Sequence, residues 1–141
     1  MNASVNKYSE KNNTSDLVKQ NNIDYALSEN GNWIIIEANS KDIYKIFPCE
    51  ILYIATEGRK SVLYLTDKEI ETNRHLDYWK NILDPKIFVQ PHGSYIVNLN
   101  YVVEITKEWV MVKSDGKKYL VYTSTRKIKE FRKAFLEYYQ R

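Results

Sequence analysis

The sequence predicts a mostly β domain with one short helix in the middle of the chain and a second helix at the C-terminus. Two observations predict this fold class. From Trp33 onward, short runs rich in Ile, Val, Leu, Tyr and Thr alternate with turn residues, which is typical of consecutive antiparallel strands. Two other stretches repeat their apolar residues at spacings of three and four, which is the period of an amphipathic helix.

The strands are separated by short turns. In the segment TEGRK, Gly58 is expected to adopt a positive φ at a hairpin turn that exposes Arg59 and Lys60. A second hairpin is predicted at Asp115-Gly116. The predicted strands lie in the runs WIIIEA, DIYKIF, EILYIAT, KSVLYLT, KEIETN, IFVQP, SYIVNL, YVVEIT, EWVMVKS and KKYLVYTS.

Two amphipathic patterns predict the helices. The first lies in NRHLDYWKNILDP, where Asn73 is the expected N-cap and Asp84-Pro85 ends the helix. The second lies in TRKIKEFRKAFLEYYQR, whose face opposite the apolar stripe is mostly basic. The apolar residues expected on one face are Leu76, Trp79, Ile82 and Leu83 in the first helix, and Ile128, Phe131, Phe135 and Tyr138 in the second.

The chain of 141 residues has the length of one domain, and its 43% apolar residues are enough to form a core. Residues 1–32 are polar and are expected to form a tail or linker with at most one short helix, so the domain is placed at residues 33–141. The net charge is only +3, but residues 117–141 hold eight basic side chains against Glu130 and Glu137, a local charge of +6. A polyanion is the partner expected for that end of the chain.

Several kinds of chemistry lack their usual residues. The lone Cys49 excludes an internal disulfide and multi-cysteine zinc sites, fits a reducing cytoplasm and is expected to be buried. His75, expected at the surface, and His92 are 17 positions apart and do not form a zinc pattern. The glycines stand singly, so there is no phosphate-binding loop, and no nucleophile elbow is visible. We therefore predict no enzyme activity, metal, cofactor or small-molecule substrate.

The sequence also has no apolar run near the roughly 20 residues that a membrane-spanning helix needs, and no signal peptide. The basic pairs Arg59-Lys60 and Arg126-Lys127 lie in or beside connections, where a sheet could present them to phosphates or to a guanine edge. For Lys129, Arg132 and Lys133 on the last helix, a solvated face is an equally good interpretation. Composition alone predicts a basic β domain that binds nucleic acid.

Three stretches in order, EILYIATEGRKSVLYLT, FVQPHGSYIVNLNYVVEI and SDGKKYLVYTSTRKIKEF, resemble the LytTR-type DNA-binding domain of bacterial transcriptional regulators. The resemblance extends from about Trp33 to the C-terminus, and its most specific part is Phe88, His92 and the run SYIVN. It implies about ten strands in small antiparallel sheets. It also implies that loops enter successive major grooves of double-stranded DNA at paired direct repeats in promoters, commonly with two copies of the protein.

The resemblance places the DNA contacts on three segments of this chain, with Arg126 and Lys127 just before the last helix. His92 can offer a ring N–H to a phosphate or a base. The residues so implied are Arg59, Lys60 and Ser61 in the first segment, His92, Gly93 and Ser94 in the second, and Arg126 and Lys127 in the third.

The middle segment departs from the family pattern. Gln90 stands where relatives usually carry an arginine, Gly93 stands where they usually carry a polar or basic residue, and Pro91 stiffens the connection. A weakened central contact is the expected result. The alternative function is therefore a protein-interaction module that retains the fold. The 32 residues before Trp33 cannot form a receiver domain, so the chain is either a stand-alone regulator, which Met1 favours, or part of a longer one.

Overall fold

The computed structural model describes residues 32–140 of the chain. Each predicted β-rich run forms a strand, and each amphipathic pattern forms a helix, so the predicted fold class is confirmed. The strands are β1 (Ile34–Glu37), β2 (Ile43–Ile46), β3 (Ile51–Glu57), β4 (Lys60–Leu65), β5 (Glu69–Thr72), β6 (Phe88–His92), β7 (Tyr95–Asn98), β8 (Val102–Ile105), β9 (Trp109–Ser114) and β10 (Lys117–Tyr122). The helices are α1 (Leu76–Ile82) and α2 (Thr125–Tyr139), and Pro48–Glu50 and Leu99–Tyr101 form short 3₁₀ turns.

The strands form three small sheets. β1 pairs with β2, β8 to β10 form a three-stranded sheet in the order β10-β9-β8, and the others form a five-stranded sheet in the order β5-β4-β3-β7-β6. The pairings in the two larger sheets are antiparallel. Both predicted hairpins are present: Gly58 has φ +64°, and Asp115 and Gly116 have φ 51° and 80°, the two positive values that a type I′ turn requires.

β3 is the most buried strand, because five consecutive residues from Ile51 to Ala55 are buried. Burial of successive residues means that both faces of this strand are covered, which accounts for its uninterrupted apolar sequence. One core cluster joins β3 and β7 to the three-stranded sheet and to Phe131 of α2, which has no exposed surface. Ile128, Phe135 and Tyr138 pack against this cluster, so the predicted stripe of α2 faces the core.

The first helix begins later than predicted. His75, not Asn73, precedes α1, and it makes no side-chain capping bond. The cause is local: the Thr72 hydroxyl accepts a hydrogen bond from the Arg74 N–H, which keeps these residues in a turn after β5. Leu76, Trp79 and Leu83 are buried as predicted, but Ile82 is 43% exposed and does not belong to the apolar face.

Two further expectations concern single residues. Cys49 was expected to be buried, and this is wrong: it is exposed, because it lies in the 3₁₀ turn before β3 and not in a strand. His75 is exposed as expected. No helix within residues 32–140 is long and apolar enough to cross a membrane.

The chain divides into two compact units. The smaller contains residues up to Ile35 together with Lys45–Pro48, and in it the rings of Trp33 and Phe47 stack with centroids 3.6 Å apart. The larger contains Ile36–Tyr44 and the chain from Cys49 onward, including every residue predicted to bind DNA. The predicted polar tail falls outside the described residues, except for Asn32.

Candidate nucleic-acid interface

Two of the three predicted segments lie at the same end of the strands of the five-stranded sheet. The chain runs toward this end in β3 and β6 and away from it in β4 and β7, so the β3–β4 and β6–β7 turns both lie there. A backbone hydrogen bond joins the two turns, because the Thr56 N–H donates to the Ser94 carbonyl at 2.8 Å. The bonded residues Thr56 and Ser94 are 38 positions apart in sequence, and strand pairing brings the two turns together.

The third segment, the start of α2, is joined to the same end of the strands. The Ser124 N–H donates to the Pro91 carbonyl at 2.9 Å, and the Ser124 hydroxyl accepts from the Lys127 N–H at 3.2 Å. Ser124 is therefore both the N-cap of α2 and the link to the β6–β7 hairpin. We call the three joined segments, residues 58–60, 92–94 and 124–127, the turn edge.

The start of α2 corrects one detail of the sequence prediction. Arg126 and Lys127 do not precede the last helix but lie in its first turn, since α2 begins at Thr125. Arg126 is exposed and Lys127 is half-buried. The first turn holds no acidic residue. Cations at the positive end of a helix are unfavourable by themselves, whereas an anion bound there is favoured, so this end of α2 suits a phosphate group.

The β3–β4 turn presents Arg59 most openly. Arg59 is exposed, and its guanidinium makes no ion pair or hydrogen bond with any residue of the described part of the chain. Lys60 is also exposed, but its Nζ lies 3.4 Å from a carboxylate oxygen of Glu71 on the neighbouring strand. Exposed ion pairs contribute only about 0–1 kcal/mol, so a phosphate can replace Glu71 at low cost.

Ser61 does not lie on the surface where the resemblance places it. Its exposure is 0%, and its hydroxyl accepts from Trp79 Nε1 at 2.8 Å and donates to the Arg74 carbonyl at 2.8 Å. The Thr72 hydroxyl is 3.2 Å from the same atom. Ser61 therefore cannot touch a duplex directly; it attaches α1 and the chain before it to the base of the β3–β4 hairpin.

The β6–β7 turn satisfies most of its own polar groups. Nδ1 of His92 accepts the Ser94 N–H at 3.0 Å, so the neutral ring carries its proton on Nε2. The ring is half-buried against Tyr95, with centroids 5.6 Å apart. The Gln90 amide donates to the carbonyls of Gly93 at 3.3 Å and His92 at 3.5 Å. This turn can thus offer one ring N–H and the bare backbone of the exposed Gly93.

Asn98 ends the SYIVN run and has a structural role. It is 1% exposed, its amide donates to the Ile51 carbonyl at 2.9 Å, and its carbonyl accepts from the Asn100 N–H at 2.9 Å.

Ser124 was not predicted as part of the site, although a serine directly before an amphipathic pattern is an N-cap signal. Within residues 32–140, no three His, Cys, Asp or Glu side chains come together in a group that could hold a metal ion.

The fold, together with the basic side chains grouped at one end of the sheet, defines a small β domain suited to nucleic acid. Residues 41–136 match the family model of the LytTr DNA-binding domain. Because this match covers more than half of the chain, the protein belongs to the LytTR family of DNA-binding domains. The resemblance found in the sequence is thereby confirmed.

A solved LytTr DNA-binding domain from Bacillus cereus has a similar fold. The TM-score is 0.59, and the similarity covers 73% of this chain and 95% of that one. The two sequences are 18% identical, so the comparison establishes the shared fold alone. No curated protein sequence matches this chain.

Proposed function

We propose that the turn edge binds double-stranded DNA sequence-specifically and that the protein regulates transcription in a bacterial cytoplasm. One observation carries this proposal. Three segments distant in sequence are joined at one end of the sheet by the Thr56–Ser94 and Ser124–Pro91 backbone hydrogen bonds. Two of these segments present an exposed arginine, at Arg59 and at the start of α2. Membership in a DNA-binding family agrees with this use of the edge.

The proposed contacts divide into base readers and phosphate ligands. Arg59 and Arg126 have planar guanidinium groups that can donate two hydrogen bonds to O6 and N7 of guanine in the major groove. Lys60 and Lys127 act as point charges on phosphates, which supply affinity without sequence information. His92 donates from Nε2 in the middle. The β3–β4 turn and the start of α2 then enter successive major grooves.

The middle segment of the turn edge, residues 92–94, makes the weakest of the proposed DNA contacts. Gln90 donates to carbonyls of its own turn, and Gly93 has no side chain. Sequence preference therefore depends mainly on the two arginines. Binding at paired direct repeats by two copies of the protein, as a homodimer on DNA, is supported by family membership only and is part of the proposal.

Selection from a pool of random duplexes tests the function directly. The wild-type protein is expected to enrich a sequence motif, and footprinting of the enriched duplexes is expected to protect two repeats in the same orientation. Retention of duplexes without any enriched motif would overturn sequence-specific binding. The absence of duplex binding at low salt would instead favour the alternative, a protein-interaction module that retains the fold.

Arg126→Ala tests the assignment of a base reader. The variant is expected to lose roughly 1–3 kcal/mol of binding free energy on the selected duplex and to relax the preference at one base pair. Lys127→Ala is expected to weaken binding to selected and random duplexes about equally and to lower the salt slope by about one. Fluorescence anisotropy titrations at several salt concentrations measure both effects.

Lys86→Ala is the control for these two variants, because Lys86 is exposed and precedes β6 at the end of that strand far from the turn edge. Its affinity should equal that of the wild type. Unchanged affinity of Arg126→Ala for both duplexes would remove Arg126 from the site.

A further inference from the structure

β5 also ends at the turn edge, although no residue in β5 or in the segment that follows it was predicted to bind DNA. β5 is antiparallel to β4, and its last residue, Thr72, is the register partner of Ser61 near the start of β4. Since β4 starts at the β3–β4 turn, the chain that leaves β5 emerges beside Arg59 and Lys60. Arg74 is the second residue after the strand, and it is exposed.

The backbone of Arg74 is held by buried groups. Its carbonyl accepts from the Ser61 hydroxyl at 2.8 Å, and its N–H donates to the Thr72 hydroxyl at 3.2 Å. Ser61 and Thr72 are 0% and 1% exposed, and Trp79 of α1 donates to the same Ser61 oxygen. Hydrogen bonds among β4, β5 and α1 thus fix the position of the Arg74 backbone.

One face of the Arg74 guanidinium packs against a tyrosine ring, and its in-plane N–H groups are open to a ligand. Its Cζ lies 4.3 Å from the centroid of the Tyr78 ring, a cation–π arrangement. The side chain makes no ion pair with a carboxylate among residues 32–140. A guanidinium stacked on a ring keeps its in-plane N–H groups available, and these match two oxygens of a phosphate.

We propose that Arg74 binds a backbone phosphate of duplex DNA and extends the turn edge past the β3–β4 turn. This inference rests on the proposed function. A phosphate fits better than a base for a geometric reason: β5 is the outermost strand, and Arg74 lies beside its end and not at the tip of a projecting hairpin. Contacts to the DNA backbone flank the groups that enter a groove and set their register.

Arg74→Gln removes the charge and keeps a polar, though shorter, side chain. The variant is expected to weaken binding to the selected duplex and to a random duplex by the same factor. The slope of log K against log salt should become shallower by about 0.9, the value for one phosphate on B-DNA. Arg74→Lys keeps the charge without the planar fork, so it should retain most of the salt slope and recover part of the affinity.

Two measurements make the test specific. Lys86→Gln removes an exposed charge at the other end of the sheet and should leave affinity and slope unchanged. Circular dichroism of Arg74→Gln should match the wild type and the thermal midpoint should fall only slightly, because the bonds to Ser61 and Thr72 use backbone atoms and only the Tyr78 contact is lost.

The outcomes separate this contact from the proposed function. If the wild type binds duplexes and Arg74→Gln keeps its affinity and slope, the Arg74 contact is overturned and the proposed function stands. A loss confined to the selected duplex, with an unchanged slope, would also overturn a phosphate contact. If the wild type binds no duplex, the proposed function is overturned and the Arg74 contact with it.

Discussion

The two opposite ends of the strands in the five-stranded sheet use their polar groups in opposite ways. At the turn edge, Arg59 and Arg126 are exposed and make no ion pair within the described part of the chain. At the opposite end of the strands, side chains donate hydrogen bonds to the carbonyls of Ile51, Cys49 and Leu99, at 2.9, 2.6 and 2.9 Å. We call this second region, residues 49–51 and 98–101, the closed edge. Its donors are the side chains of Asn98, Tyr101 and Tyr139.

With the proposed function, this difference separates DNA binding from stability within one sheet. Hydrogen bonds that are complete inside the protein stabilise the fold and leave no group for a ligand. Exposed cations without partners add little to stability but are available to phosphates and bases. Substitutions at the closed edge should therefore change the free energy of unfolding, and substitutions at the turn edge should change affinity for DNA.

Asn98→Ala should have the largest effect. The substitution removes the amide that pairs with the buried Ile51 carbonyl and the acceptor of the Asn100 N–H, so the free energy of unfolding should fall by about 1–3 kcal/mol. Urea denaturation measures this loss, and the exposed Asn81→Ala on α1 serves as the control. DNA affinity of the folded variant should equal that of the wild type. Unchanged stability would show that the closed edge is not structural.

Gly93→Arg should have a smaller effect of the opposite kind. A side chain has room here, because no heavy atom outside residues 92–94 lies within 4 Å of the position that a Cβ would take. The added cation should raise affinity for selected and random duplexes and steepen the salt slope by about 0.9. Gly93→Glu is the matched variant and should lower affinity, with the stability of both variants unchanged. Equal affinities of the two would exclude this turn from the interface.

The smallest expected effect is a change of stability with pH at the closed edge. Burial, followed by the nearby negative charges of Cys49, Glu50 and Asp115, raises the pKa of Tyr101 from 10.0 to about 12. Between these values the unfolded chain loses the phenol proton first, so the free energy of unfolding should fall as pH rises from 10 to 12.

Tyr101→Phe should flatten this fall without abolishing it, because burial also raises the pKa values of Tyr53, Tyr64 and Tyr139. The exposed Asn81→Ala, which removes no tyrosine, is the control and should keep the wild-type slope. Denaturation at a series of pH values measures both variants, and identical slopes for Tyr101→Phe and wild type would contradict the raised pKa.

The strands and helices could be predicted because their signals are local. Period-two and period-three-to-four patterns, together with Gly58 and Asp115-Gly116 at turns, depend only on neighbouring residues. The burial of Ser61 could not be predicted in this way. A small polar residue in a strand can face solvent or a helix, and only the packing of Trp79 against it decides which.

The cations proposed for the site are visible in the sequence, but their arrangement is not. Arg59 and Arg126 stood out because paired cations beside connections are visible in the sequence. The bonds that join their segments run between backbone groups of Thr56, Ser94, Pro91 and Ser124, and backbone groups have no sequence signature. The position of Arg74 depends likewise on the register between β4 and β5, which no local pattern shows.

The most direct test of the difference between the two edges is an NMR titration of ¹⁵N-labelled protein with a selected duplex. Amide shifts should change at residues 58–60, 92–94 and 124–127, and those of residues 98–101 should stay constant. A random duplex should produce smaller changes at the same residues. Changes concentrated at residues 98–101, with the turn edge unaffected, would contradict the claim that the turn edge binds DNA.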